Sequence, residues 1–126
     1  MKKILIAEDN KDLNMIMVKR LEADGFSVDS VESGYALMAH LKVGTAPDAI
    51  ILDLMLPGRS GAELLSAIME TWTKTKVFIF SAYANIKERH ILENYSISGY
   101  FCKSDGTDKL IAAIHAELSG LDKKNG

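Results

Sequence analysis

The stretch "AIILDLMLPGRSG", residues 49–61, guides the interpretation of the whole chain. It begins with the apolar run Ala49–Leu52, which is typical of a strand that is buried on both faces of a sheet. A carboxylate, Asp53, follows directly, and a short apolar segment then leads to the turn-forming pair Pro57-Gly58. Removing a carboxylate from water is costly, and an Asn or Ser would start a turn equally well. The charge at residue 53 therefore raises the question of a chemical role.

Apolar runs of this kind alternate along the chain with stretches of helical periodicity. The predicted strands cover residues 4–7, 26–31, 49–52, 77–80 and 100–102. Helical spacing groups Leu13, Ile16, Met17 and Leu21, then Leu64, Leu65, Ile68, Met69 and Trp72, and finally Leu110, Ile111, Ile114 and Leu118. Ser33 is a candidate N-cap for another helix, and Gly25 is placed to end the first one. Segment 84–95 is the weakest of the five predicted helices, because its apolar residues form no clean stripe.

Five strands, each followed by a helix, predict a parallel sheet with helices on both faces. Right-handed crossovers leave few topologies, and the common one at this size is the flavodoxin-like, doubly wound α/β sheet with strand order 2-1-3-4-5. We expect one domain over residues 1–120, followed by a polar tail or the start of a linker over residues 121–126.

Composition narrows the class of protein. The 126 residues carry a formal net charge of -2 with both signs mixed, so we expect no nucleic-acid surface on this domain. The apolar run at the N-terminus is too short for a signal peptide, and no stretch reaches the roughly 18 apolar residues that span a membrane. The single cysteine, Cys102, excludes an internal disulfide, and we expect it to be a buried apolar filler. These features predict a cytoplasmic protein without a membrane partner.

Polar residues follow the predicted strands at one edge of the sheet: Glu8 and Asp9, Asp53, Ser81 and Lys103. Each alone has an ordinary interpretation as a turn residue, a helix cap or an exposed charge. The set as a whole needs a different interpretation, because the first and third strands are neighbours and bring the carboxylates that follow them within several Å of one another. Each like-charge pair then costs about 3 kcal/mol at about 5 Å and an effective dielectric constant of about 20. A divalent cation would remove that cost.

Carboxylates with a backbone carbonyl and water suit a hard cation, and Mg²⁺ is the usual one where phosphate is handled. Mg²⁺, a lysine and a hydroxyl are the groups that position a phosphoryl group and neutralise its charge. Asp53 can then act as the nucleophile and form an aspartyl phosphate. This chemistry gives a reason for the charge at the end of a buried strand.

Four motifs, "LIAEDN", "ILDLMLPGRSG", "FSAY" and "GYFCK", occur in this order at the predicted strand ends. Over about residues 3–119 the chain resembles the receiver domains of two-component response regulators. The resemblance implies that Asp53 accepts a phosphoryl group from a sensor histidine kinase or a histidine phosphotransfer protein. Such a domain is not an enzyme with a separate substrate. It catalyses its own phosphorylation and slow dephosphorylation.

The resemblance also implies a metal site. Asp9, Asp53 and the backbone carbonyl of Met55 would bind Mg²⁺, which Mn²⁺ can replace, and Glu8 would act through water. No other cofactor is expected. The size of Met55 and Tyr83 suggests that these side chains partly shield the aspartyl phosphate from water.

A switch is implied as well. Lys103 would pair first with the aspartate and then with a phosphoryl oxygen. Ser81 would hydrogen-bond another phosphoryl oxygen and draw its loop inward, and Tyr100 would turn inward with it. The fourth predicted helix, the fifth strand and the fifth predicted helix would form the face that contacts an output domain or partner protein, or a second copy after phosphorylation.

Three alternatives stay open at this point. A pseudo-receiver would keep the fold and act as a phosphorylation-independent protein-binding module. A phosphatase of the haloacid-dehalogenase type would need a second Asp where Met55 stands, and a flavodoxin would need a phosphate-binding loop where Glu8 and Asp9 stand. The chain also departs from the receiver pattern at Ser104, where the family often has a Pro with a cis bond. We expect a trans bond there, because a cis bond before a residue other than proline costs about 3–4 kcal/mol.

Overall fold

The computed structural model of the protein describes residues 1–82, 92–93 and 95–125, with side chains as far as residue 119. Its strands are β1 (Lys3–Ala7), β2 (Ser27–Val31), β3 (Ala49–Leu52), β4 (Lys76–Ser81) and β5 (Gly99–Cys102). Its α-helices are α1 (Lys11–Ala23), α2 (Gly34–Val43), α3 (Gly61–Thr71) and α4 (Asp108–Asn125), and a 3₁₀ turn spans Lys103–Asp105. The helix predicted over 84–95 falls almost entirely outside the described residues, as does Tyr83. The described chain thus has four α-helices, where five were predicted for the whole.

The five strands form one parallel sheet in the order β2-β1-β3-β4-β5, which confirms the predicted topology. Alternate side chains of β1 point to opposite faces of the sheet, as strand geometry requires. Leu5 and Ala7 join one apolar cluster with α2 and α3, whereas Ile4 and Ile6 join a second cluster with α1 and α4. Helices therefore cover both faces, and the carboxyl ends of the strands remain open between them. None of the described helices combines the length and apolar content needed to cross a membrane.

Caps fix where the helices begin and end. The Ser33 hydroxyl accepts a hydrogen bond from the Ala36 N–H at 3.0 Å, which confirms the predicted N-cap of α2. Gly25 follows the end of α1 with a φ of 97°, a left-handed conformation that glycine adopts without strain. Ser60 caps α3 in the same way as Ser33 caps α2, a role that the sequence reasoning did not assign.

The buried face of α1 differs from the predicted one. Ile16 was predicted to lie on the apolar stripe, but it is 56% exposed. The residues that the helix buries are Asn14, Met17 and Leu21, so the buried stripe is rotated by part of a turn and carries an amide at its first position. Apolar spacing alone could not identify this face, because α1 presents apolar residues on both sides of it.

The end of the chain differs in smaller ways. Cys102 is half-buried, so the prediction of a buried filler was wrong; it ends the edge strand β5, and its Sγ lies 3.2 Å from the Ser104 hydroxyl. No peptide bond among the described residues is cis, in agreement with the expected trans bond before Ser104. The last helix continues past residue 120 to Asn125, into the segment expected to be a tail or linker.

Candidate functional site

The sheet itself places two of the predicted site residues side by side. The Glu8 N–H donates to the Val31 carbonyl at 3.0 Å, and the Asp53 N–H donates to the Ala7 carbonyl at 3.1 Å. These bonds extend the parallel pairing by one residue beyond β1 and β3. The backbones of Glu8 and Asp53 are therefore fixed at the carboxyl edge of the sheet, where the topology leaves a crevice.

Three carboxylates meet in this crevice. One oxygen each of Glu8, Asp9 and Asp53 lies within 4.8 Å of the other two. Glu8 and Asp53 are buried, with exposures of 1% and 2%, whereas Asp9 is exposed. At that separation each like-charge pair repels by at least about 3 kcal/mol at an effective dielectric constant of about 20. The prediction that these carboxylates converge is confirmed.

Lys103 supplies a positive charge to the cluster. Its Nζ lies 2.7 Å from Glu8 Oε1 and donates to Asp53 Oδ2 at 2.8 Å, with only 21% of the side chain exposed. Burial alone would lower the pKa of Lys103. The hydrogen bond to Asp53 and the contact with Glu8 outweigh burial, and the pKa is raised. The ammonium group therefore stays protonated at neutral pH and balances part of the acidic charge.

Both carboxylate oxygens of Glu8 and its backbone carbonyl have contacts. The Asn10 N–H donates to Oε2 at 3.0 Å, and the Asn14 side-chain amide donates to the Glu8 carbonyl at 3.0 Å. Oε1 has the ion pair with Lys103 and, within the described residues, no hydrogen bond. Burial raises the pKa of Glu8, and the charge of Asp53 adds to that effect. The contacts with Lys103 and the Asn10 N–H oppose the rise without cancelling it.

The loop after β3 holds the Asp53 carboxylate from the other side. Met55 donates its N–H to Asp53 Oδ1 at 3.0 Å, while its side chain is 58% exposed. Leu56 is buried and anchors the loop, and Gly58 then turns the chain with a φ of 96°. Both oxygens of Asp53 are thus engaged, and the Met55 backbone lies beside the carboxylate.

Ser81 and Tyr100 occupy the neighbouring strands β4 and β5. Ser81 is fully buried, and within the described part of the chain its hydroxyl has no hydrogen-bond partner. An unpaired buried hydroxyl costs about 1–3 kcal/mol, so its presence here favours a ligand that pairs with it in another state. Tyr100 is half-buried and, with Leu92 and Ile97, lines a surface cavity of about 300 Å³.

The donor set fits a hard divalent cation. Three carboxylates converge from two adjacent loops, and oxygen ligands of this kind suit Mg²⁺ or Mn²⁺ rather than softer metals. The ammonium group of Lys103 already contacts the two buried carboxylates, whereas the exposed Asp9 leaves the cluster accessible from solvent.

Two residues of the site were missed by the sequence reasoning. Asn10 both caps α1, through its acceptance of the Leu13 N–H at 3.0 Å, and donates its own N–H to Glu8. Asn14 is 5% exposed and binds the Glu8 carbonyl. The spacing of Asn14, three residues before Met17 and seven before Leu21, becomes a signal only once the buried face of α1 is known.

The fold and the site together define a class: doubly wound α/β domains with an acidic cluster, a lysine and a buried hydroxyl at the carboxyl edge of the sheet. The chain belongs to the family of response regulator receiver domains, whose model matches residues 4–115. It is 31% identical over 125 residues to the response regulator ArlR of Staphylococcus saprophyticus, covering 99% of this chain and 56% of ArlR. The chain spans about half the length of the curated relatives it matches.

Solved structures agree with this assignment. The response regulator TrrA of Thermotoga maritima, determined in complex with Mg²⁺–BeF, superposes with a TM-score of 0.79 at 25% identity, covering 92% of this chain and 98% of TrrA. A CheY-like receiver domain protein of Methanospirillum hungatei has the same fold, with a TM-score of 0.89 at 22% identity and 98% coverage of both chains.

Proposed function

We propose that this domain accepts a phosphoryl group on Asp53 in a Mg²⁺-dependent reaction, in the cytoplasm. The donor is the phosphohistidine of a sensor histidine kinase or a histidine phosphotransfer protein. The bond from phosphorus to the histidine nitrogen breaks as the bond to an Asp53 oxygen forms. The observation that carries the proposal is the buried Asp53 carboxylate, bound by Lys103 at 2.8 Å within a cluster of three carboxylates.

Lys103 has two successive roles in this proposal. Before transfer its ammonium group offsets the charges of Glu8 and Asp53. After transfer it can follow the negative charge to a phosphoryl oxygen, because a lysine side chain is long and flexible. Its raised pKa keeps it positively charged before transfer.

The metal ligands would be Asp9, Asp53 and the Met55 backbone carbonyl, with Glu8 acting through water. A bound Mg²⁺, or Mn²⁺ in its place, would neutralise negative charge on the phosphoryl oxygens. Support comes from the convergence of the three carboxylates and from the Mg²⁺–BeF complex of the related TrrA.

The switch would begin at Ser81. Its buried hydroxyl has no partner within the described residues and can donate to a phosphoryl oxygen. Formation of this hydrogen bond would draw the loop after β4 inward and free space for Tyr100 to turn inward. The face made by β5, α4 and the segment predicted to be helical over 84–95 would change as a result. A differential of about 1–3 kcal/mol between two conformers is enough for useful coupling. An output domain, a partner protein or a second copy would read this face, and the greater length of the curated relatives supports an output domain.

Intact-mass measurement after incubation with acetyl phosphate tests the proposal directly. Wild type, Asp53→Asn and a control, Asp29→Asn on an exposed position of β2, are compared with Mg²⁺ and with EDTA. We expect a gain of one phosphoryl group in wild type and in the control, only with Mg²⁺, and none in Asp53→Asn. No gain in wild type under any condition would reject the proposal in favour of the pseudo-receiver.

A further inference from the structure

Asn14 is the one polar residue on the buried face of α1, in line with Met17 and Leu21. An apolar side chain would fill such a position without any need for a hydrogen-bond partner, and asparagine is a poor helix former. The hydrogen bond that the Asn14 amide forms therefore accounts for an amide at this position. Its partner is the backbone carbonyl of Glu8, at 3.0 Å, in a buried hydrogen bond.

The carbonyl that Asn14 binds belongs to the peptide unit that joins Glu8 to Asp9. Glu8 has further restraints, since its N–H is bound by Val31 and its side chain by Asn10 and Lys103. Asp9 is exposed and has no such set of contacts among the described residues. The orientation of the Glu8–Asp9 peptide thus sets where the Asp9 backbone lies, and with it the region that the Asp9 carboxylate can reach.

Electrostatics works against the observed position of Asp9. Its carboxylate lies within 4.8 Å of two others, and Lys103 contacts only Glu8 and Asp53. In the absence of a cation, Asp9 is repelled toward solvent. Rotation of the Glu8–Asp9 peptide would carry the Asp9 backbone away from Asp53, but that rotation would break the hydrogen bond from Asn14.

We propose that Asn14 is a positioning residue for the cation site: by fixing the Glu8–Asp9 peptide it keeps Asp9 beside Asp53 and so sets the affinity for Mg²⁺. The inference rests on the proposed function of the site. Loss of one buried hydrogen bond that preorganises a ligand is expected to weaken Mg²⁺ binding about tenfold, equivalent to about 1.4 kcal/mol.

The test compares Asn14→Leu, which is close in shape and lacks the donor, with Thr75→Val. Thr75 is a matched control because its hydroxyl donates to the Pro47 carbonyl at 2.7 Å, a buried side-chain-to-backbone bond at the opposite edge of the sheet. Mg²⁺ affinity is measured by calorimetric titration of the metal-free proteins, and stability is measured by urea unfolding. Phosphorylation by acetyl phosphate is followed as a function of Mg²⁺ concentration.

We expect both variants to lose stability, while only Asn14→Leu binds Mg²⁺ about tenfold more weakly. Its phosphorylation should need about tenfold more Mg²⁺ for half-maximal rate and should recover its maximal rate at saturation. Should Asn14→Leu fold poorly, Asn14→Ala removes the same donor without adding bulk. Equal Mg²⁺ affinity in wild type and the Asn14 variants would overturn the inference, as would an equal loss in Thr75→Val. Failure of wild type to bind Mg²⁺ would instead remove the proposed function, and this inference with it.

Discussion

Replacement of Lys103 by methionine tests how the site balances its charges. The substitution keeps most of the apolar stem and removes the ammonium group. Glu8 and Asp53, whose side chains are 1% and 3% exposed, then remain buried as neighbouring anions. Removing one partner from a buried ion pair costs about 3–5 kcal/mol. Because Lys103 is itself 21% exposed and Asp9 opens the cluster to water, we expect the lower end, about 3 kcal/mol.

Urea unfolding in metal-free buffer at pH 7.5 measures this loss. The single tryptophan, Trp72, is 4% exposed and gives a fluorescence signal for unfolding. With a urea dependence of about 1.5–2 kcal/mol/M, the midpoint should fall by about 1.5–2 M. Saturating Mg²⁺ should recover at least half of the difference from wild type, because the cation would neutralise the same carboxylates.

Lys109→Met is the matched control, since Lys109 is exposed on α4. Its free energy of unfolding should stay within about 0.5 kcal/mol of wild type, as for most surface substitutions. If Lys103→Met proved as stable as this control, the charges of Glu8 and Asp53 would not depend on the ammonium group, and the reasoning would be refuted. A loss that Mg²⁺ leaves unchanged would show that the cation does not bind these carboxylates.

Four further outcomes follow from individual contacts. Because the pKa of Glu8 is raised in the folded state, the folded protein binds more protons than the unfolded chain between about pH 4.5 and that raised pKa. Metal-free wild type should therefore lose stability as the pH rises from about 4.5 through the raised pKa. Glu8→Gln should remove this pH dependence of stability. Identical pH profiles of wild type and Glu8→Gln in urea unfolding would contradict the raised pKa of Glu8. Ser81→Ala should stabilise the unphosphorylated protein by about 1–3 kcal/mol, since it removes a buried hydroxyl that has no partner within the described residues, yet it should lower the phosphorylation rate measured by intact mass. Met55→Ala should speed hydrolysis of the aspartyl phosphate severalfold if the side chain shields it, and an unchanged decay rate would exclude shielding. Ser33→Ala should lower stability by about 1 kcal/mol through loss of the α2 cap without altering phosphorylation, and a change in phosphorylation would indicate that the cap reaches the site.

The order of the strands and the convergence of the three carboxylates were predictable, because most of the strands are short apolar runs. Ala49–Leu52 is typical of an interior strand, and in a parallel sheet the residues that follow neighbouring strands must meet at one edge. The convergence of Glu8, Asp9 and Asp53 follows from that rule alone. Helix packing was harder, because α1 carries apolar residues around more than its buried face. The choice of Asn14 over Ile16 depends on how the helix lies on the sheet, which spacing does not encode.

The distances between side chains of the site could not be predicted from the sequence either. Lys103 was expected to pair with Asp53, and its contact with Glu8 at 2.7 Å emerges only when the 3₁₀ turn after β5 is placed against the loop after β1. Cys102 was misjudged for a related reason. Its position in an apolar run suggests burial, but β5 is an edge strand whose four residues are all partly exposed.

The contact of Lys103 with both buried carboxylates makes the folding of this domain independent of the binding of a metal ion. An acidic pocket without an internal cation would be less stable until it bound a metal ion, and its folding would then depend more strongly on the supply of that ion. Here the chain carries its own counter-charge, on a side chain long enough to move when a stronger positive charge arrives. The domain can therefore fold without a bound cation, and in the proposed function the ion and the phosphoryl group would bind to an already folded site.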